Sequence, residues 1–165
     1  MTDSPNNRAA ETVDIRAAQA ADLPAILELL PQLADFDIPE KRDPKDLWEG
    51  DAKLVNKLFA GETSGVFCDL AVDKADQVLG LALVSLREEL LNHHPSAHLE
   101  GLVVSPKARG TGLGRTLLSH AEALAIKHGA QSLTLHVFAK NQRARSLYDS
   151  SGFDSELIRA IKWLD

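Results

Sequence analysis

A six-residue turn, R-G-T-G-L-G over residues 109–114, separates an apolar run from a long amphipathic one, and it restricts the chain more than any other feature. Glycine at alternate positions lets the backbone approach a ligand closely, because there is no Cβ and left-handed dihedrals cost little. The run before it, LEGLVV over residues 99–104, reads as a strand. After it, Leu113, Leu117, Leu118, Ala121, Leu124 and Ala125 recur at helical spacing from Gly112 to about His128, where Gly129 ends the pattern. A helix beginning on such a turn presents unpaired N–H groups and the positive end of its dipole, which together make an anion site. Lys107, Arg109 and Arg115 flank it, so a pyrophosphate suits the turn although the chain carries a net charge of −6.

Two other glycine motifs fail on spacing. A dinucleotide fingerprint needs G-x-G-x-x-G, whereas Gly110, Gly112 and Gly114 give G-x-G-x-G, and a P-loop needs a closing Gly-Lys-Ser/Thr that is absent. A turn that only capped a helix would need one glycine. The acidic balance excludes a nucleic-acid partner, since phosphate neutralisation shows as a basic patch or stripe.

The 165 residues suit one domain, and with 44% apolar residues a core is expected without staples. Cys68 is the single cysteine, so no internal disulfide forms and no zinc spacing arises. No apolar stretch is long enough for a membrane span and no signal peptide is evident, which predicts a cytoplasmic protein with no membrane partner. Residues 1–12 read as a mobile polar tail and residues 13–165 as the domain.

Val13 and Ile15 alternate as a short strand. A helix capped by Asp22 follows, with Pro24 in its first turn and Pro31 kinking or ending it. A second helix starts at Asp43 and Pro44 and runs to about Ala60. Strands are expected over 66–72, 78–86 and 99–104, then Leu133, Leu135 and Val137, a short helix carrying Ala144, Leu147 and Tyr148, and a last strand over 156–164.

With its strand and helix, the turn resembles the acetyl-CoA signature of the GNAT superfamily of N-acetyltransferases, R/Q-x-x-G-x-G/A, with Arg109, Gly112 and Gly114 at the fixed positions. Downstream, Asn141, Ala144, Tyr148 and the Gly152-Phe153 pair match N-x-x-A-x-x-x-Y ending in G-F, which is frequent in that family. The resemblance covers the order of elements from Val13 to Leu164. It implies an α/β (α+β) fold with a central, mostly antiparallel mixed sheet, splayed parallel strands four and five, and about four flanking helices. It further implies acetyl-CoA as cosubstrate and no metal. The backbone of Arg109, Gly110, Thr111, Gly112, Leu113, Gly114 and Arg115 would hold the pyrophosphate. Leu102, Val103 and Val104 would hold the pantetheine, with Asn141 on the cofactor arm. Polyamines, aminoglycosides, protein N-termini and lysine side chains all suit the family as acceptors, and homodimers are common in it.

Direct acyl transfer needs a neutral amine, a stabilised oxyanion and help for the leaving thiolate. Glu100 lies in an apolar strand, on the face expected to carry His98, Leu102 and Val104, and the family often has an acidic base there; the alternative is a solvated edge carboxylate. His98 is a second base candidate from the same face. Tyr148 occupies the family position of the general acid, against the alternative of a packing tyrosine. Cys68 reads as a small buried hydrophobe. His93, His94 and His98 do not make a metal site, because Pro95 interrupts any helix that would align them. Asp35, Asp37, Glu40 and Asp43, between the first two helices, predict a cationic amine acceptor. A non-catalytic acyl-CoA sensor of the same fold is the alternative function, and the presence of both Glu100 and Tyr148 favours the enzyme.

Overall fold

The computed structural model describes residues 12–164, so all but the last residue of the expected N-terminal tail lies outside the described residues. The elements are β1 (Asp14–Ala17), α1 (Leu23–Leu29), α2 (Glu49–Phe59), β2 (Val66–Val72), β3 (Val78–Glu88), β4 (Pro95–Val104), α3 (Leu113–Lys127), β5 (Leu133–Leu135) and α4 (Gln142–Ser150). The sheet order is β1-β2-β3-β4-β5. The first three pairings are antiparallel and β4–β5 is parallel, so the mixed sheet is as expected. A parallel pair needs a crossover, and α3 supplies it. The β4–β5 ladder holds only at Ala97–Leu133, His98–Thr134 and Leu99–Leu135, while β4 runs on to Val104. That unpaired extension is the splay.

Each face of the sheet carries a core. Ile26, Leu30 and Val55 of the α1–α2 layer pack on Leu70, Leu81, Leu83 and Val103. Leu113, Leu117, Leu118 and Ala121 of α3 pack on Ala82, Val84 and Leu99 from the other side. Burying one such leucine contributes about 1.5–3 kcal/mol, and these contacts fix α3 and the turn before it against β4.

A bulge in β4 positions the site. The β3–β4 register passes from Leu83 opposite Gly101 to Val84 opposite Leu99, so Glu100 is the extra residue. Glu100 reaches Ser85 and Arg87 on the α1–α2 face of β3, the face that His98 also occupies opposite Ser85. Beyond the bulge the alternation is reset, and Leu102 and Val104 join the α3 core. The expectation that all four side chains share one face is therefore corrected: His98 and Glu100 do, and Leu102 and Val104 point away.

Other departures have local causes. Ahead of Pro31, α1 ends at Leu29 and tightens into a 3-10 turn over Leu30–Ala34. Asp43 caps a 3-10 turn, Pro44–Leu47, by accepting from the Lys45 N–H at 2.9 Å, and α2 restarts at Glu49. β4 begins at Pro95, ahead of the expected residue 99, because Ser96 and His98, polar in the sequence, are buried between β3 and the 132–134 segment. β5 stops at Leu135. The expected last strand, 156–164, is absent: this stretch joins no ladder among the described residues, and Leu157, Ile158 and Leu164 are exposed. Apolar residues make a strand only where a partner edge receives them. Its Trp163 ring instead lies under the Arg42 guanidinium, 4.9 Å from the centroid. Among the described residues no helix is long and apolar enough to cross a membrane.

Candidate active site

A cleft of about 470 Å³ lies between the end of β4, the glycine turn, the start of α3 and α4, with Gln32 and Leu33 on its far wall. Gly110 and Gly112 have φ of 74° and 83°, and Gly112 is the residue from which α3 starts. A Cβ at either would meet nothing within 4 Å, so glycine is required there for backbone conformation. An L side chain in that region costs roughly 1–2 kcal/mol. The first-turn N–H groups of α3 have no intrahelical partner, which gives this wall its affinity for an anion.

Of the expected cofactor residues, Leu102, Val103, Val104, Arg109, Gly110, Gly112, Leu113, Gly114, Arg115 and Asn141 all line the cleft. Thr111 does not, and its hydroxyl donates to the Ala108 carbonyl at 2.6 Å, bracing the turn. The Arg109 side chain is turned across the cleft, with Nε on the Val104 carbonyl and Nη2 on Gln32 Oε1 at 3.1 Å. Its Nη1 pairs with Asp35, and this charge-assisted bond holds the Asp35 carboxyl below the usual carboxylate range. Arg115 donates to Ser150 at 2.7 Å, and Asn141 caps α4 by accepting from the Ala144 N–H at 3.2 Å.

Three of the four linker carboxylates expected to receive a cationic acceptor already hold partners. Asp35 pairs with Arg109, Asp37 with Lys140 at 3.0 Å, and Asp43 serves as a cap. Arg143 also donates to the Asp35 carbonyl. These contacts tie the linker to the turn and α4, closing one side of the cleft.

Tyr148 lines the cleft from α4, its ring 5.7 Å from that of Phe153. Burial pushes its hydroxyl up to about 12, so it stays a proton donor across neutral pH. Glu100 and His98 are outside the cleft lining, further down β4 on the α1–α2 face. The Glu100 carboxylate, mostly covered, accepts from Ser85 and pairs with Arg87, both through Oε1. His98 Nδ1 lies 2.7 Å from Thr134 Oγ1 and its ring 4.8 Å from that of His136. Burial, aided by the Arg87 charge, pulls His98 down to about 4, so its imidazole is neutral at pH 7.

Asp51 of α2 was not anticipated. Burial, and then the charge of Glu100, pushes its carboxyl up to about 7. Gly101 makes the room it occupies: a Cβ there would stand 3.2 Å from Asp51 Oδ2 and 3.6 Å from Leu33 Cδ1. Ser85, Arg87, Thr134 and His136 were missed as well. The one sequence signal for this cluster is a glycine after a glutamate inside a strand, which marks a bulge or a close approach. Cys68 is buried and its thiol is pushed up to about 12, too high for a nucleophile.

Residues 25–153 match the acetyltransferase (GNAT) family. An uncharacterised N-acetyltransferase of Bacillus subtilis, YhfO, is 30% identical over 144 residues, which are 87% of this chain and 91% of that protein. The [ribosomal protein bS18]-alanine N-acetyltransferase of Escherichia coli is 41% identical over 63 residues, 38% of this chain and 43% of that one. The crystal structure of the aminoglycoside N-acetyltransferase AAC(6')-Iy in complex with CoA superposes with a TM-score of 0.69 over 94% of this chain and 95% of that chain, at 21% identity. The glycine turn, the splayed β4 and the match over residues 25–153 lead to one conclusion: the chain belongs to the acetyltransferase (GNAT) family and is an N-acetyltransferase.

Proposed function

We propose that the protein moves the acetyl group of acetyl-CoA directly to a primary amine while both are bound. The observation that carries this reading is a cleft in which an anion-binding turn, the end of β4 that is open on its β5 side and Tyr148 meet. The residues fit the cosubstrate. Gly110 and Gly112 leave open space where a Cβ would stand, and the α3 N-terminus supplies N–H donors to a pyrophosphate. Past Leu99, β4 has no ladder on its β5 side, so the backbone groups of Leu102–Val104 suit the amides of a pantetheine arm. Bound there, acetyl-CoA supplies the thioester carbonyl.

The chain's own groups then act on two protons. The acceptor enters as an ammonium group at the carboxylate end of β4, where Glu100, held by Arg87 and Ser85, receives it through water. His98 stands beside it as a neutral imidazole. Tyr148 offers its O–H to the sulfur that leaves. A coenzyme A thiol resembles cysteine, near 8.5, so a tyrosine near 12 stabilises the thiolate by hydrogen bonding more than by proton transfer. Residues 13–165 work in this reading as one catalytic domain in the cytoplasm.

The test is to mix the protein with acetyl-CoA and, separately, spermidine, kanamycin, a peptide with N-terminal alanine and a peptide with internal lysine, following free thiol. Amine-dependent release is expected with one class. Tight acetyl-CoA binding without thiol release for any amine would replace the enzyme reading with that of an acyl-CoA sensor.

A further inference from the structure

Two carboxyl groups, one on the sheet and one on a helix, meet on the α1–α2 face of β4, next to the cleft wall at Leu33. Glu100 is at the β4 bulge, and Asp51 reaches β4 from α2 at the next residue, Gly101. Leu33 connects this place to the cleft, since it lines the cleft and would touch the same Cβ at Gly101 that Asp51 would touch. The two differ in what they hold. Glu100 Oε1 is taken by Arg87 and Ser85, whereas burial and the charge of Glu100, with no hydrogen-bond donor among the described residues, act on the part-buried Asp51.

We propose that Asp51 is a catalytic residue of the transfer: its carboxylate meets the acceptor nitrogen beside Glu100 and takes the proton that must leave the ammonium group before attack. This rests on the acetyl-transfer reading above. The protons balance as follows. The ammonium gives one proton to Asp51, and the free amine forms the C–N bond with the thioester carbonyl carbon as the C–S bond breaks. The second proton on nitrogen passes to the departing sulfur, and Asp51 returns its own to solvent. The products are the amide, the free thiol and one proton.

The surroundings suit a group that exchanges a proton near neutrality. Burial raises the Asp51 carboxyl, and the charge of Glu100 raises it further. Behind Glu100 stand Arg87 on β3 and the neutral His98 with His136 against it. On α2 itself, Lys53 is paired with Glu49 at the exposed surface. A surface carboxylate near 3.9 would be a far weaker base toward an amine near 10.

The experiment measures kcat/KM against pH for wild type and Asp51→Asn, using spermidine and the N-terminal alanine peptide, with acetyl-CoA affinity by calorimetry and folding by circular dichroism. Wild type should rise with pH and level off above about pH 7, as a base with that midpoint requires. Asp51→Asn should bind acetyl-CoA as wild type does, lose about 10²-fold near pH 7 and keep rising with the unprotonated amine. A folded Asp51→Asn that keeps the wild-type midpoint, or loses less than about threefold, overturns the assignment. If Asp51→Asn does not fold, Gly101→Ala displaces the carboxylate without removing it, and unchanged kcat/KM in that variant overturns the assignment equally. Failure of wild type to release thiol with any amine of the panel, despite binding acetyl-CoA, overturns the acetyl-transfer reading and this assignment together.

Discussion

Asp51→Asn should also change stability, in a direction set by the folded structure alone. The unfolded chain releases the Asp51 proton near 3.8, but the folded chain holds it to about 7. Between those values the folded state binds more protons, so wild-type unfolding free energy falls as pH rises through that window. A separation of about three pKa units at about 1.4 kcal/mol each sets a ceiling near 4 kcal/mol. Asp51 keeps partial contact with solvent, which reduces the expected change to about 2 kcal/mol between about pH 5 and pH 8. Asparagine carries no such titration, so the variant should gain on wild type as pH rises. Urea unfolding of both proteins across that range isolates the effect, since ionisable groups that do not interact with Asp51 cancel in the difference. A difference constant to within about 0.5 kcal/mol over the range would refute a desolvated Asp51 and the packing of α2 on the β4 bulge that desolvates it.

Gly112→Glu should abolish acetyl-CoA binding by calorimetry, because it places a negative side chain at the anion site, while Gly112→Ala, with the same φ of 83°, should lose only about 1–2 kcal/mol of stability and retain measurable affinity. Near-normal binding by a folded Gly112→Glu would misplace the pyrophosphate. Glu100→Gln should lower kcat/KM and move the midpoint of its pH profile below about pH 7, because it removes the charge beside the ammonium group that also raises the Asp51 carboxyl. Tyr148→Phe should bind acetyl-CoA almost normally yet lose kcat, and titration toward about pH 9 should not restore it, since its hydroxyl is protonated throughout that range.

The parts of this site that were legible in the sequence are those whose physics is local. Alternating glycines before an amphipathic run announce the turn and α3, and the spacing of Ala144, Leu147 and Tyr148 announces α4. Glu100 is conspicuous in an apolar strand. Asp51 is not: in E-G-D-A-K-L it looks like any solvated helix carboxylate, and only the packing of α2 over Gly101 gives it a desolvated place. The partners of the linker carboxylates were hidden for the same reason, because the cations that pair with Asp35 and Asp37, Arg109 and Lys140, are 74 and 103 residues away. The bulge defeats simple alternation, since one inserted residue reverses every side chain beyond it. Segment 156–164 failed as a strand for want of a partner, which no pattern within the segment reveals.

The most direct test of the central claim compares the two products of the reaction and the protein itself. Mass spectrometry should find one acetylated amine for each free thiol released, with both appearing only when acetyl-CoA and the amine are present together. After incubation with acetyl-CoA alone the protein should carry no acetyl group, because the buried Cys68 thiol is no nucleophile and the amine attacks the thioester directly. Thiol released without acetylated amine, or an acetyl group held covalently on the protein and passed on later, would contradict direct transfer in this cleft.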